Sequence, residues 1–164
     1  MKRYTRMDSP VGPLILVGDE AGLRRVDFVH GRHPVTADSA WQEDPAGFAE
    51  VIGQLNAYFA GNLQDFTLRL APEGTQFQQM VWKTLCHIPY GATISYGELA
   101  RRIGNPDASR AVGLANGANP IPIIIPCHRV IGSNGKLTGY GGGLPIKEKL
   151  LALERQQLPL LRLG

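Results

Sequence analysis

The chain has 164 residues, 43% hydrophobic and 19% charged, which is enough for one compact domain or two small ones sharing an interface and argues against disorder. No apolar run approaches the roughly 20 residues a membrane span needs, and no apolar signal core follows the basic residues 1–6, so a cytoplasmic protein is expected. The net charge of +3 hides a split: through Gly74 seven Lys/Arg face ten Asp/Glu, and from Thr75 ten face four, which suits either a polyanion bound by the second half or an ordinary solvated surface.

In chain order, residues 4–8, 14–17 and 23–29 alternate or cluster apolar side chains as strands do, with Gly/Pro-containing turns at 9–13 and 18–22. A small antiparallel meander is predicted. Residues 30–45 read as a surface loop in which His30 and His33 are solvated. Over 46–60, Phe48, Val51, Ile52, Leu55, Tyr58 and Phe59 recur at helical spacing, and Gly61 supplies a stop. Residues 63–70 form a further strand candidate. The stretch Ala71-Pro72-Glu73-Gly74 reads as a linker where the charge changes sign, which divides the chain into an N-terminal domain over 1–74 and a C-terminal domain over 75–164.

Beyond the linker, Thr75 caps a helix running to about His87, with Cys86 in its apolar pattern and therefore expected in the core. Ser95-Tyr96-Gly97-Glu98 has the spacing of a capping box, predicting a helix from Tyr96 to about Ile103. Gly104-Asn105-Pro106 ends it, and Asp107 can cap the next helix, Ala108 to about Gly117. Two short helices around a tight turn make a candidate helix-turn-helix. The second helix is nearly bare, with Arg110 as the long cation of its first turn, which suits close approach to another surface or tight helix packing. A last helix is predicted over 146–154, opened by Pro145.

The chemistry concentrates in Asn119-Pro120-Ile121-Pro122-Ile123-Ile124-Ile125-Pro126-Cys127-His128-Arg129-Val130-Ile131-Gly132. Three prolines deliver a cysteine and a histidine side by side. A nucleophilic thiol needs a base or a positive field, since its free pKa lies near 8.5. Neighbours in extended backbone point to opposite faces, so contact between Cys127 and His128 needs a turn or a bridging water. A carboxylate would orient the imidazole from its other nitrogen, and Glu154 is the candidate by topology. Locally, a buried thiol beside a structural histidine fits as well. Cys86 and Cys127, with no C-x-x-C pair and no histidine cluster, cannot build a zinc site, and a disulfide is disfavoured in a reducing compartment. The glycine-rich stretch Thr138-Gly139-Tyr140-Gly141-Gly142-Gly143 follows as a candidate pocket lining.

Taken together, this stretch resembles the active-site signature of the O6-alkylguanine-DNA alkyltransferases, also called methylated-DNA–protein-cysteine methyltransferases. The Tyr96 helix, Ser109-Arg110-Ala111-Val112-Gly113, the Tyr140 loop and Lys147-Glu148-Lys149-Leu150-Leu151-Ala152-Leu153-Glu154 match that family in order and spacing. The similarity is strong over about 75–154 and extends to layout only before that. It implies an α+β fold: a small antiparallel sheet with a helix in a ribonuclease H-like layout, then a mostly helical, winged-helix-like domain containing the helix-turn-helix.

The implied activity is single-turnover repair, in which the alkyl group of O6-alkylguanine in duplex DNA passes to Cys127. Asn105, Ala108, Ser109 and Ser133 would meet the DNA, Arg110 would fill the stack, and Tyr96 would crowd the phosphate of the flipped nucleotide and donate to N3. The carbonyls of Cys127 and Val130 would accept from the guanine amine, the Gly141 N–H would face O6, and Tyr140, Gly142 and Asn116 would line the pocket. His128, Glu154 and a water would help form the thiolate, and Asn119 would hold the turn before it. Asn116 stands where some relatives place an apolar residue and Gly117 where they carry a cation. Some relatives have zinc ligands in the N-terminal domain, and no cysteine stands there, so no metal and no cofactor are expected. The expected partner is damaged duplex DNA, with no membrane, no obligate protein partner and a monomeric state. A lesion sensor that binds without transfer, or a cysteine hydrolase, would leave parts of the pattern unused.

Overall fold

Alternating apolar residues at the start of the chain form three antiparallel strands, β1 (Arg3–Met7), β2 (Leu14–Asp19) and β3 (Gly22–Phe28). The computed structural model describes residues 1–31, 36–137, 140 and 142–163, with side chains through 156. A two-residue strand, β4 (Gln42–Glu43), adds to β1 in parallel, giving the order β3-β2-β1-β4. Leu14, Ile15, Leu16 and Val17 of β2 are all fully buried. Successive strand residues face opposite sides, so the sheet is covered on both faces. His33 lies outside the described residues; His30 is exposed.

Helix α1 (Ala49–Phe59) starts later than its periodicity suggests. Residues Pro45–Phe48 form a 3-10 turn instead, with the Asp44 carboxylate accepting from the Gly47 N–H. The strand predicted over 63–70 does not form as such. Among the described residues its ladder contact is a single bridge between Leu70 and Leu23, where the Leu23 N–H reaches the Arg69 carbonyl at 2.9 Å and the Ala71 N–H the Leu23 carbonyl at 2.8 Å. Upstream, the Gln54 amide of α1 accepts from the backbone N–H of Thr67 at 2.9 Å and donates to the Thr67 hydroxyl at 3.0 Å, so a helix side chain replaces a strand partner.

Thr75 and Gln78 form a reciprocal capping box at the start of α2 (Gln76–Leu85). This helix ends one residue before Cys86, whose thiol is exposed rather than in the expected core. Cys86 keeps helical backbone angles, and its position about 100° round the helix from Leu85 puts its side chain at the edge of the buried stripe of Val81, Trp82 and Leu85. Trp82, 2% exposed, donates its indole N–H to the Ala115 carbonyl at 2.9 Å and so ties α2 to α4 (Ser109–Gly117). Gly74 makes room for that ring: a Cβ there would lie 2.4 Å from the indole. A Gly74→Ala chain is therefore expected to lose about 1–3 kcal/mol through overpacking of a rigid ring, read by equilibrium denaturation. An unchanged midpoint would contradict the packing argument.

Ser95 caps α3 (Tyr96–Arg102), accepting from the Glu98 N–H at 3.0 Å. Helix α4 packs on α3 as the second half of the helix-turn-helix. Asp107 is not its cap; Ala108 occupies that position, with no side-chain bond to the helix end. Just before α3, β5 (Ile94–Ser95) pairs in parallel with β6 (Val130–Ile131), which sets the start of α3 beside the cysteine segment. The last helix, α5 (Leu144–Leu163), runs well past the expected end at Glu154. No glycine stands there to cap it before Gly164, and Pro159 does not end it. The fold is α+β, a small sheet followed by a helical half, and among the described residues no helix is long and apolar enough to cross a membrane.

Candidate active site

The approach to Cys127 is held by its own side chains and backbone. Asn119 accepts from the Ile121 N–H at 2.9 Å and donates to the Ile125 carbonyl at 2.8 Å, and the Ile125 N–H reaches the Ile121 carbonyl at 2.9 Å. Ile123 sits at φ 74°, a left-handed conformation that a β-branched residue adopts only under surrounding constraint. Pro126, at φ −81° and ψ 63°, makes an inverse γ-turn closed by the Cys127 N–H on the Ile125 carbonyl at 2.7 Å. Cys127–Arg129 then form a 3-10 turn, and every residue from Ile121 to Val130 is buried. The backbone thus turns at Cys127, so the opposite-face geometry of an extended strand does not apply to Cys127 and His128.

His128 is fully buried, and its Nε2 lies 2.7 Å from Glu154 Oε2 on α5. An ionised carboxylate only accepts, so Nε2 carries the proton and Nδ1 presents a lone pair. Nδ1 has no partner among the described residues. Glu154 is more than a partner for histidine. It also accepts from Arg129 Nε at 2.9 Å and Nη2 at 3.0 Å, from the Tyr58 hydroxyl at 2.7 Å, and from the Gly91 N–H at 3.3 Å. One carboxylate therefore joins α1, the loop before β5, the cysteine turn and α5. Arg129, 5% exposed, completes its own pairing by donating to the Ile88 carbonyl at 2.7 Å and lies over the Tyr90 ring.

Arg129, Tyr58 and the buried Lys147 received no role from the sequence. The signal for Arg129 was there: a cation inside a largely apolar stretch must find an anion when the stretch is buried. Tyr58 gave none, since its helical spacing marks it as core whatever its hydroxyl does.

Burial pushes the Cys127 thiol up to about 11, with the Asn119 side chain and the Lys147 ammonium drawing it partway back. The resting group is a thiol, and it needs a base. Burial lowers the His128 pKa against the opposing pull of Glu154, so the imidazole is neutral near pH 7. Burial alone would raise Glu154, yet His128 and Arg129 hold its carboxyl at about 2 against an ordinary 4.5. Groups depressed in the fold stabilise it above their unfolded pKa and lose that contribution as pH falls. Stability is thus expected to decline below pH 6.5 as the unfolded chain protonates His128 first, and again between 4.5 and about 2 through Glu154. Denaturation midpoints that stay level through both windows would contradict these pairings.

Around Cys127 the interior keeps polar groups without partners. Besides Tyr90, the buried atoms lacking one among the described residues are His128 Nδ1, the Tyr140 hydroxyl and Asn116 Oδ1. Asn116 donates to the Cys127 carbonyl at 3.4 Å, and Tyr140, its pKa raised by burial and then by the nearby Cys127, packs its ring on Phe28 of β3. Gly142 lies so close to Phe28 that a Cβ would fall 2.9 Å from its ring, so the N-terminal sheet props this loop. The Val130 carbonyl receives the Lys147 ammonium at 2.7 Å. Native interiors rarely leave polar atoms unpaired, and His128 Nδ1 and Asn116 Oδ1, both belonging to side chains on or against the cysteine turn, mark a place for a polar ligand. Gly141 lies outside the described residues. No cluster of three or more His, Cys, Asp or Glu among the described residues is placed to hold a metal ion.

The remaining candidates lie on or beside the helix pair. Tyr96 is half-buried, with its ring against Gly113 of α4: a Cβ at that glycine would be 3.6 Å away. Asn105, Ser109, Arg110 and Ser133 are exposed and Ala108 is half-buried. The outer face of α4 carries Arg110, Leu114 and Gly117, so a bare surface surrounds one cation and one exposed leucine.

Comparison with known proteins adds an independent line. The profile described as "6-O-methylguanine DNA methyltransferase, ribonuclease-like domain" matches residues 2–72, and "6-O-methylguanine DNA methyltransferase, DNA binding domain" matches 76–156. The methylated-DNA–protein-cysteine methyltransferase of Methanosarcina acetivorans is 58% identical over 151 residues, 92% of this chain and 97% of that one. The crystal structure of the Mycobacterium tuberculosis O6-methylguanine methyltransferase superposes with a TM-score of 0.89 at 52% identity, covering 96% of this chain and 94% of that chain. A structure of M. tuberculosis OGT in complex with DNA gives 0.88 at 54% identity, covering 94% of each chain.

Proposed function

The chain belongs to the 6-O-methylguanine DNA methyltransferase family, and from that premise we propose that it repairs duplex DNA by moving the alkyl group of O6-alkylguanine onto Cys127. The observation that carries this reading is the buried Cys127 beside a histidine whose tautomer a carboxylate fixes, set among unpaired polar groups. The relatives are methylated-DNA–protein-cysteine methyltransferases, and one similar protein has been crystallised with DNA.

The O6 carbon is out of a thiol's reach inside the base stack, so the nucleotide is rotated out before reaction. Arg110 enters the space left behind and Tyr96, at the start of α3, crowds the phosphate; the small residues of α4 permit that close approach. The thiol proton passes to His128 Nδ1 through a water, and Glu154 steadies the imidazolium that forms. The thiolate attacks the alkyl carbon, the S–C bond forms as the C–O6 bond breaks, and the released electron pair returns guanine, which regains a proton at N1. Water does not displace a thioether, so each molecule acts once. The charge excess of the C-terminal half supports contact with the polyanion, and we assign a monomer acting in the cytoplasm.

Incubation with an O6-methylguanine duplex is expected to add one CH2 to the intact mass, on the peptide containing Cys127. An unchanged mass would overturn the proposal. An Arg110→Ala chain is expected to lose on the order of 10- to 100-fold in rate on duplex while reaction with free O6-benzylguanine falls far less. Equal losses in both assays would remove the stack-filling role.

A further inference from the structure

Strand β3 is an edge of the N-terminal sheet, and it touches both sides of the cysteine site. On its free edge, the Val26 N–H donates to the Pro120 carbonyl at 2.9 Å. Pro120 follows Asn119, whose amide holds the turn that leads to Cys127. Two residues along, Phe28 ends the strand, 7% exposed, with its ring centroid 5.8 Å from that of Tyr140 and the planes 55° apart. A Cβ on Gly142 would fall 2.9 Å from the same ring and 3.1 Å from Ile146, so the chain just after Tyr140 also closes on Phe28. The N-terminal sheet therefore fixes the cysteine segment at one point and the Tyr140 loop at another.

Tyr140 is 5% exposed and near enough to Cys127 that each group perturbs the other's titration. Displacement at the alkyl carbon runs along the line from sulfur through carbon to O6, with sulfur and carbon about 3–3.5 Å apart before reaction. Whatever the carbon carries beyond hydrogen then points sideways, toward the walls around the sulfur. Tyr140 is one of those walls, and a close-packed interior transmits a displacement instead of absorbing it. The ring behind Tyr140 decides how far that wall can retreat. We propose that Phe28 is a positioning residue that, by bracing Tyr140 and Gly142, limits the size of the alkyl group Cys127 accepts. This rests on the proposed function and sharpens it, since the N-terminal sheet then sets the substrate range through the loop it holds.

Single-turnover rates on duplexes carrying O6-methylguanine or O6-benzylguanine test this in the wild-type chain, in Phe28→Leu and in Phe28→Ala, with thermal unfolding to check that each variant folds. Comparing each variant's benzyl-to-methyl rate ratio with the wild type's cancels the intrinsic reactivity of the two groups. The ratio is expected to rise by roughly 3- to 10-fold in Phe28→Ala, where the deleted ring leaves space for Tyr140 to move, and by less in Phe28→Leu. A ratio that stays constant or falls while both rates drop overturns the inference, because that pattern belongs to a purely structural ring. If Phe28→Ala does not fold, Phe28→Leu decides alone, and a ratio equal to the wild type's overturns the inference. A wild type that takes an alkyl group from neither duplex sinks the proposed function itself, which is a different result.

Discussion

A Cys127→Ser chain is expected to bind an O6-methylguanine duplex and to acquire no methyl group over any incubation in which the wild type is fully converted. The substitution exchanges only the sulfur for an oxygen. Serine fits the same buried turn, and the contacts that hold it, Asn119 to Ile121 and Ile125 and Glu154 to His128 and Arg129, do not involve the Cys127 side chain. The hydroxyl is a far weaker nucleophile than a thiolate at neutral pH, and His128, whose own pKa is lowered by burial, is too weak a base to ionise it. Intact mass separates transfer from binding, and a gel shift confirms that the duplex is still held. The informative contrary result is methylation at another residue. Cys86, exposed at the end of α2, is the other thiol of the chain, and a methyl group mapped there in the variant would mean that the turn at Cys127 is not the reactive centre.

Replacing Glu154 is expected to be the most damaging single change to the fold near the site. Its two oxygens take hydrogen bonds from Arg129, His128, Tyr58 and Gly91, and it is fully buried. A Glu154→Ala chain leaves the Arg129 cation buried without its anion, a loss of about 3–5 kcal/mol. The subtler variant is Glu154→Gln, which keeps the shape and discards the charge. It frees His128 to adopt either tautomer, so transfer slows even where the protein is folded. It also abolishes the acid loss of stability between pH 4.5 and about 2 that belongs to this carboxyl. Denaturation at several pH values together with single-turnover transfer reads both effects. A Glu154→Gln chain with wild-type acid sensitivity and wild-type rate would show that the cluster neither steadies the fold nor orients the imidazole.

These two residues also show where local sequence ends and packing begins. Thr75 and Ser95 cap the helices expected of them, because a cap is a contact between residues three apart that the chain makes wherever it folds. Asp107 and Cys86 went the other way. Asp107 stands two residues before α4 and Cys86 one residue past α2, and offsets of that size decide whether a carboxylate reaches the helix N–H groups or a thiol stays on the apolar face. The 63–70 segment had a strand's composition, but the Gln54 side chain of the preceding helix takes the Thr67 N–H.

The sequence by itself determined the order of the three meander strands and the helices, the helix-turn-helix, and the Pro-Cys-His-Arg segment with its family likeness, since periodicity, caps and motifs are written in neighbouring residues. It also nominated Glu154 for His128, by the argument that the last helix must pack back on the core. Only the tertiary structure decided that Glu154 is shared with Arg129 and Tyr58, that the backbone turns at Cys127, and that Asn116 keeps a free acceptor beside it. Those facts depend on which groups lose water together when segments far apart in the chain meet, as Tyr58 and Glu154 do across 96 positions. Burial sets the pKa values and leaves the unpaired atoms, and burial belongs to the packed molecule rather than to any stretch of it.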